Sequence, residues 1–295
     1  MATTEVTTQE KIEVKEGVWR VIRHFAQDKP LGAVGAIVFA IMILIAILAP
    51  LISPNDPLTT DIPRRLTGPS LLHLMGTDEV GRDVLSRLIH GARVSIMVGI
   101  IASVVGSMGG AILGIISGYA GGRVDLYMQR VMDVLMAFPI LVLAIAIMAV
   151  MGTSVTNVII AMSIPFIPRA NRVVRSVAIS VKEFQFVEAA RAVGASPVRI
   201  VFRHVLPNCM ASYLIVATSL LGSAILIEAS LSFLGLGIPP PFPSWGRSLS
   251  EAMPFYLQAP WLAIFPGIAI SLAVFGANLF GDALRDVWDP RLKRL

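Results

Sequence analysis

Long apolar runs separated by short polar breaks dominate the chain. A helix that crosses a bilayer needs about 20 apolar residues. Six segments meet or approach that length, at 33–53, 95–118, 131–151, 155–170, 212–236 and 260–281. The fourth is short and holds Pro165 and Pro168, so it either kinks or continues through residues 173–181 with its arginines turned from lipid. The pattern predicts an all-α integral membrane fold with six transmembrane helices, forming one unit over residues 33–295 behind a polar tail, 1–32. No internal repeat or low-complexity tract divides it further.

Two polar stretches interrupt the apolar runs. In residues 180–208, Ser180 and Glu183 have the spacing of a capping box that starts a helix, with Phe184, Val187 and Ala190 on one face and Gln185 and Glu188 on another. Gly194 marks that helix's end. Ser196 and Pro197 then provide an N-cap and a first-turn proline for a second short helix, which Pro207 is expected to stop. The other stretch runs from Ser53 to about residue 93. Within it Thr77 or Asp78 can cap a helix carrying Asp83 and Arg87 on one side and Val84, Leu85, Leu88 and Ile89 on the other. This predicts an amphipathic helix at the membrane interface leading into the second span.

Composition agrees with a membrane chain: 55% of the 295 residues are hydrophobic, 15% are charged, and mean hydropathy is +0.77. With six spans and the N-terminus inside, 18 Lys and Arg fall in inner segments and 6 in outer ones. That asymmetry places both termini in the cytoplasm and explains the basic pI without nucleic acid. The tail lacks an apolar core followed by a cleavage site, so the first span itself directs insertion. Cys209 is the only cysteine, which excludes an internal disulfide, and the four histidines are scattered.

Enzyme signatures are missing from the sequence: there is no phosphate loop, no HExxH pair and no GxSxG elbow. If ATP drives transport here, a separate ATPase must dock on the 180–208 hairpin. Glu228 is the one acidic residue deep in an expected span, where a carboxylate is costly unless paired, protonated or facing water. It either lines a translocation path, where it would attract a cationic group, or pairs with a partner subunit. Asn278, Pro139 and Pro266 interrupt other spans, and Gly106, Gly109, Gly110 and Gly114 suit close helix packing within the chain or with a second subunit. After the fifth span Pro239, Pro240 and Pro241 stiffen a loop ending at Trp245, which either meets a partner protein on the outer side or is anchored at the interface by Trp245 and Phe242.

The hairpin sequence EAARAVGASPVRIVFRHVLPN resembles the EAA loop of ABC-importer permeases of the binding-protein-dependent type, through Glu188, Ala189, Ala190, Gly194, Leu206 and Pro207. His204 departs from that pattern, which usually has an aliphatic residue there. Gly76-Thr77-Asp78 with Gly81-Arg82-Asp83, EASLSFLGLGIPPPFPSWG from Glu228, and GDALRDVWDPRLK from Gly281 are similar to the dipeptide, oligopeptide and nickel branch, and to its C-type subunit. The resemblance implies a type I importer fold in the cytoplasmic membrane of a prokaryote. Its partners would be a second, different permease, two ABC ATPase subunits and an extracytoplasmic solute-binding protein, besides membrane lipid. ATP and Mg would be bound by the ATPases, leaving this chain without a cofactor or metal. Glu188, Ala189, Ala190, Gly194, Ser196, Pro197, Arg199 and Arg203 would couple to the ATPase, and Asp78, Arg82, Asp83 and Trp245 would contact the binding protein or outer face. Di- or oligopeptides lead as substrate, with nickel complexes or oligosaccharides as alternatives.

Three rivals compete. A secondary transporter calls for inverted repeats and paired intramembrane charges, neither of which is visible. A membrane hydrolase needs a polar catalytic companion for Glu228. A structural scaffold leaves the hairpin without a partner.

Overall fold

A computed structural model describes residues 27–288, so the tail assigned to 1–32 lies almost wholly outside the described residues, as do the last five positions of the 281–293 motif. The described chain is built of helices α1 (Pro30–Ile52), α2 (Val84–Ala120), α3 (Gly122–Met136), α4 (Ile140–Met151), α5 (Val155–Lys182), α6 (Gln185–Ala192), α7 (Pro197–Ile200), α8 (Leu206–Phe233), α9 (Trp245–Ala252) and α10 (Trp261–Trp288). Among the described residues, four helical segments are long and apolar enough to cross a membrane: α1, α2, the rod Pro197–Phe233 and α10. The bent pair α3 and α4 is a fifth candidate. The remaining long helix, α5, has 28 residues. At 1.5 Å per residue it is roughly 42 Å long and exceeds a hydrocarbon core of about 30 Å.

Several expectations need correction. The segment 131–151 is not one helix: α3 and α4 meet at 91°. Pro139, the N-cap of α4, cannot donate to the preceding turn, and the helix breaks there. By contrast α5 runs through Pro165 and Pro168 to Lys182. Its arginines explain this, because α3 lies beside it and supplies carboxylates: Arg175 bonds Asp125 through both its Nε (2.6 Å) and a terminal nitrogen, and Arg172 reaches Asp133 at 2.8 Å. The bend that sets α3 beside α5 also pairs these charges. The capping box is absent. Ser180 donates to Ser176 O inside α5, Glu183 is the C-cap, and α6 starts behind Phe184 without a side-chain cap. Continued burial of Val174, Ala178 and Val181 carries α5 past the polar pair.

Pro207 does not stop the second hairpin helix either. A π-helical turn, Val201–Val205, widens the backbone before it, and Leu206 N–H reaches Val201 O. The wider turn makes room for the proline ring, which would otherwise meet the carbonyl four residues back. The expected interfacial helix is also different: α2 begins at Val84, is continuous with its span, and turns Asp83 and Arg87 inward, 3% and 5% exposed.

α2 and α5 form the central seam. A Cβ on Gly106 would stand 2.6 Å from Ser163 O, on Gly110 2.6 Å from Ala170 Cβ, on Gly114 2.7 Å from Asn171 O and on Gly118 2.9 Å from Arg175 O. Glycine at every fourth position lets the two backbones touch, so the small-residue stripe serves a contact within the chain. One core cluster beside the seam joins Val98, Met148, Val158, Phe166 and Leu220. A second joins α1, α8 and α10 around Phe39, Ile225 and Ala273.

Gly110→Val should lower stability by about 2 kcal/mol through overpacking, whereas Gly109→Ala, whose Cβ would have an ordinary 3.5 Å contact with Ile167, should be tolerated. Thermal unfolding of the detergent-purified protein checks both.

Candidate functional site

The hairpin is held by apolar contacts and presents its charges outward. Val187, Ile200, Val205 and Cys209 are buried against Ile115, Val174 and Ala178 of α2 and α5. Gly194 closes α6 with φ of +79°, a conformation that glycine adopts without strain, and its N–H donates to Arg191 O at 2.9 Å. Ser196 accepts from Arg199 N–H, and Pro197 opens α7. This end of the hairpin agrees with the sequence pattern. Glu188, Ala189, Arg199 and Arg203 are exposed, Ala190 is half-buried, and no ion pair to Glu188, Arg199 or Arg203 is formed among the described residues. Arg191 does not pair with Glu188 but lies over the Tyr119 ring, 5.6 Å from its centroid. Arg199, Phe202 and Arg203 line one open concavity, and Val198 and Phe202 are 67% and 66% exposed. The surface therefore combines two cations with apolar contact area, on a helix continuous with the membrane rod.

At the opposite end of α2 lies a cluster of charges. Arg82 bonds Asp78 at 2.6 Å, Arg87 bonds Glu251 at 2.7 Å and approaches Asp78 at 3.5 Å, and Arg247 bonds Glu251 at 2.8 Å. His73 meets Asp83 at 2.9 Å, and Asp83 also caps α2 through Ser86 N–H. Asp78 and Arg82 thus tie the loop before α2 to α9, while Asp83 fastens His73 to the start of α2, and both carboxylates are largely enclosed. Trp245 is 1% exposed and donates from its indole to Leu88 O at 3.0 Å, so it is a core anchor in this conformation rather than an outer contact; Phe242 remains exposed.

Glu228 is fully buried within the chain, accepting from Ser232 Oγ at 2.7 Å, and its other oxygen has no hydrogen-bond partner. It neither lines an open path nor reaches a subunit surface here. Asn278 packs its amide over Gly222 of α8 and is otherwise exposed. The structure does not bring Glu228 or Asn278 to either charged end. Sequence pattern missed Glu251, the hub of the far cluster. Its i+4 spacing from Arg247 was the available signal, but nothing local announces Arg82 or Arg87, more than 160 positions away.

Glu251→Ala would leave the enclosed Arg87 without its best partner and should cost about 3 kcal/mol; the double variant R87M/E251M should recover much of that, read by thermal unfolding. Burial pushes the Glu79 carboxyl up, with Glu251 and Asp78 adding to it against Arg82 and Arg87. Its ionised form therefore opposes folding. Glu79→Gln should stabilise at neutral pH and lose that advantage once the pH falls below the ordinary glutamate range, as followed by unfolding across pH.

Residues 110–294 match the family described as "Binding-protein-dependent transport system inner membrane component", and residues 18–69 match "N-terminal TM domain of oligopeptide transport permease C". The dipeptide transport system permease protein DppC of Alkalihalophilus pseudofirmus is 44% identical over 275 residues, covering 93% of this chain and 90% of that one. The di/tripeptide transport system permease protein DppC of Pseudomonas aeruginosa is 42% identical over 278 residues, 92% and 91% of the two chains. The glutathione transport system permease protein GsiD of Escherichia coli O6:K15:H31 is 42% identical over 276 residues, 93% and 90%. With the exposed hairpin, the glycine-seamed helices and these matches together, the chain belongs to the binding-protein-dependent transport system inner membrane components, on their C-type permease branch.

Proposed function

We propose that this chain is one permease subunit of an ABC importer for di- or oligopeptides, paired with a second, related permease and driven by two ATPase subunits that seat on the hairpin. The observation that carries it is continuity. The docking helix α7, the π turn and α8 form one uninterrupted rod, Pro197–Phe233, so force applied at Arg199 and Phe202 reaches the membrane without crossing a flexible joint. The relatives named above are described as transporters of dipeptides, di/tripeptides and glutathione, all peptidic, and this supports peptides over nickel complexes or oligosaccharides.

In this reading ATP and Mg belong to the ATPase subunits, and this chain is non-catalytic. The 18 to 6 division of Lys and Arg supports hairpin and termini on the cytoplasmic side of the inner membrane, with the segment 53–83 and the proline-rich loop on the outer side, where the solute-binding protein docks. ATP binding draws the ATPases together, the rods tilt and the pair opens outward to receive peptide; hydrolysis resets it. Glu188 holds a basic group of the ATPase, while Arg199 and Arg203 take acidic ones.

A charge-assisted contact is worth about 1.5–3 kcal/mol, which corresponds to at least a tenfold change in the coupled equilibrium. Glu188→Ala should therefore reduce ATP-dependent peptide uptake by reconstituted complex roughly tenfold, with the second permease still co-purifying. Uptake at the wild-type rate would overturn the coupling role.

A further inference from the structure

The loop before α2 carries an apolar tip that the transport reading does not use. From Gly68 to Thr77 the sequence GPSLLHLMGT has no Asp, Glu, Lys or Arg. Leu71 is 99% exposed, Leu72 62% and Leu74 60%. The exposure is built in, because the turn is fastened: Ser70 N–H donates to His73 O, His73 N–H to Ser70 Oγ, Gly76 N–H to His73 O, and Thr77 N–H to Thr67 O. The His73 ring turns inward to Asp83, leaving the leucines outward. A pinned turn that displays three leucines keeps apolar area exposed unless another surface covers it.

Three observations identify that surface as lipid. The loop is set against Trp261, the first residue of the membrane helix α10: the indole lies 3.8 Å from where a Gly68 Cβ would stand, and its N–H points to Thr77 O at 3.4 Å. Tryptophan at the start of a span marks the interfacial level. Below Trp261, Ile264, Ile268, Leu272 and Phe275 form an exposed apolar stripe on α10, interrupted by Ser271, whose hydroxyl is tied to Gly267 O at 2.8 Å. Shortly before the tip lie Arg64, which is within 3.5 Å of Asp61, and Arg65, which is exposed and forms no ion pair among the described residues, a cation at the level where a lipid phosphate would meet it.

We propose that residues 69–74 are a membrane anchor: Leu71, Leu72 and Leu74 enter the leaflet remote from the hairpin, outer in the reading above, while Arg65 holds a phospholipid headgroup. The anchor fixes the depth of the loop that feeds Asp78 and Asp83 into the charge cluster, and so the height at which α2 begins.

The test uses the assembled permease in phosphatidylcholine and phosphatidylglycerol nanodiscs. Cys209 is buried, so a single environment-sensitive fluorophore can be placed on Leu71→Cys, and on Thr59→Cys as a polar control. The Leu71→Cys label should emit blue-shifted, be quenched by phosphatidylcholine spin-labelled near the glycerol end of its acyl chain, and resist iodide; the Thr59→Cys label should do the opposite. Water-like emission at Leu71→Cys with iodide quenching overturns the anchor. Blue-shifted emission without lipid quenching also overturns it, by assigning the tip to a protein neighbour. Peptide uptake is not part of the readout, so the outcome is independent of whether peptides are the substrate.

Discussion

Backbone contact between α2 and α5 is the constraint on which the rest of the molecule depends. Lipid gives helices little hydrophobic reason to associate, so close packing must supply the attraction, and the glycines at 106, 110, 114 and 118 allow it. Once α5 is fixed along α2, its last turns extend beyond the apolar zone. There Val174, Ala178 and Val181 form the floor on which Val187, Ile200 and Val205 of the hairpin rest. The exposed charges of the hairpin owe their positions to a seam of residues that carry no functional group.

The second theme is how a mostly apolar chain accommodates its charges. Both ends answer it by pairing across distant sequence. Near the hairpin, Asp125 and Asp133 come from a helix turned through a right angle to meet Arg175 and Arg172. At the far end, Glu251 on α9 collects three arginines. Glu228 is the exception: it is buried without an ion-pair partner among the described residues, packed in the layer where Gly246 of α9 lies against Ala229.

Local chemistry made much of this readable. The apolar runs located α1, α8 and α10 to within about two turns and fell inside α2, which starts about three turns earlier, and Gly194, Ser196 and Pro197 located the hairpin bend, because each acts through its own backbone. What escaped the sequence was decided between distant residues. The capping pair Ser180 and Glu183 lost to continued burial of α5, and Pro207 failed as a stop because a widened turn upstream relieved its clash. The expected interfacial helix hid its polar face, since Arg87 finds Glu251 from the other half of the chain. The polar ends divide the same way: the bend of the hairpin could be read from a contiguous motif, whereas the pairing of Arg82 and Arg87 with Glu251 could not.

The π turn at Val201–Val205 has a further meaning for the geometry of the rod. Such a turn holds one residue more than an α-helical turn, and one residue corresponds to about 100° of rotation. The hairpin and α8 are therefore phased like two gears on one shaft. A loop between them would absorb insertions and deletions freely. Here a single added or lost residue would turn Leu220, Ala224 and Glu228 out of the core while the hairpin kept its seat, so the length of this junction is as constrained as its composition.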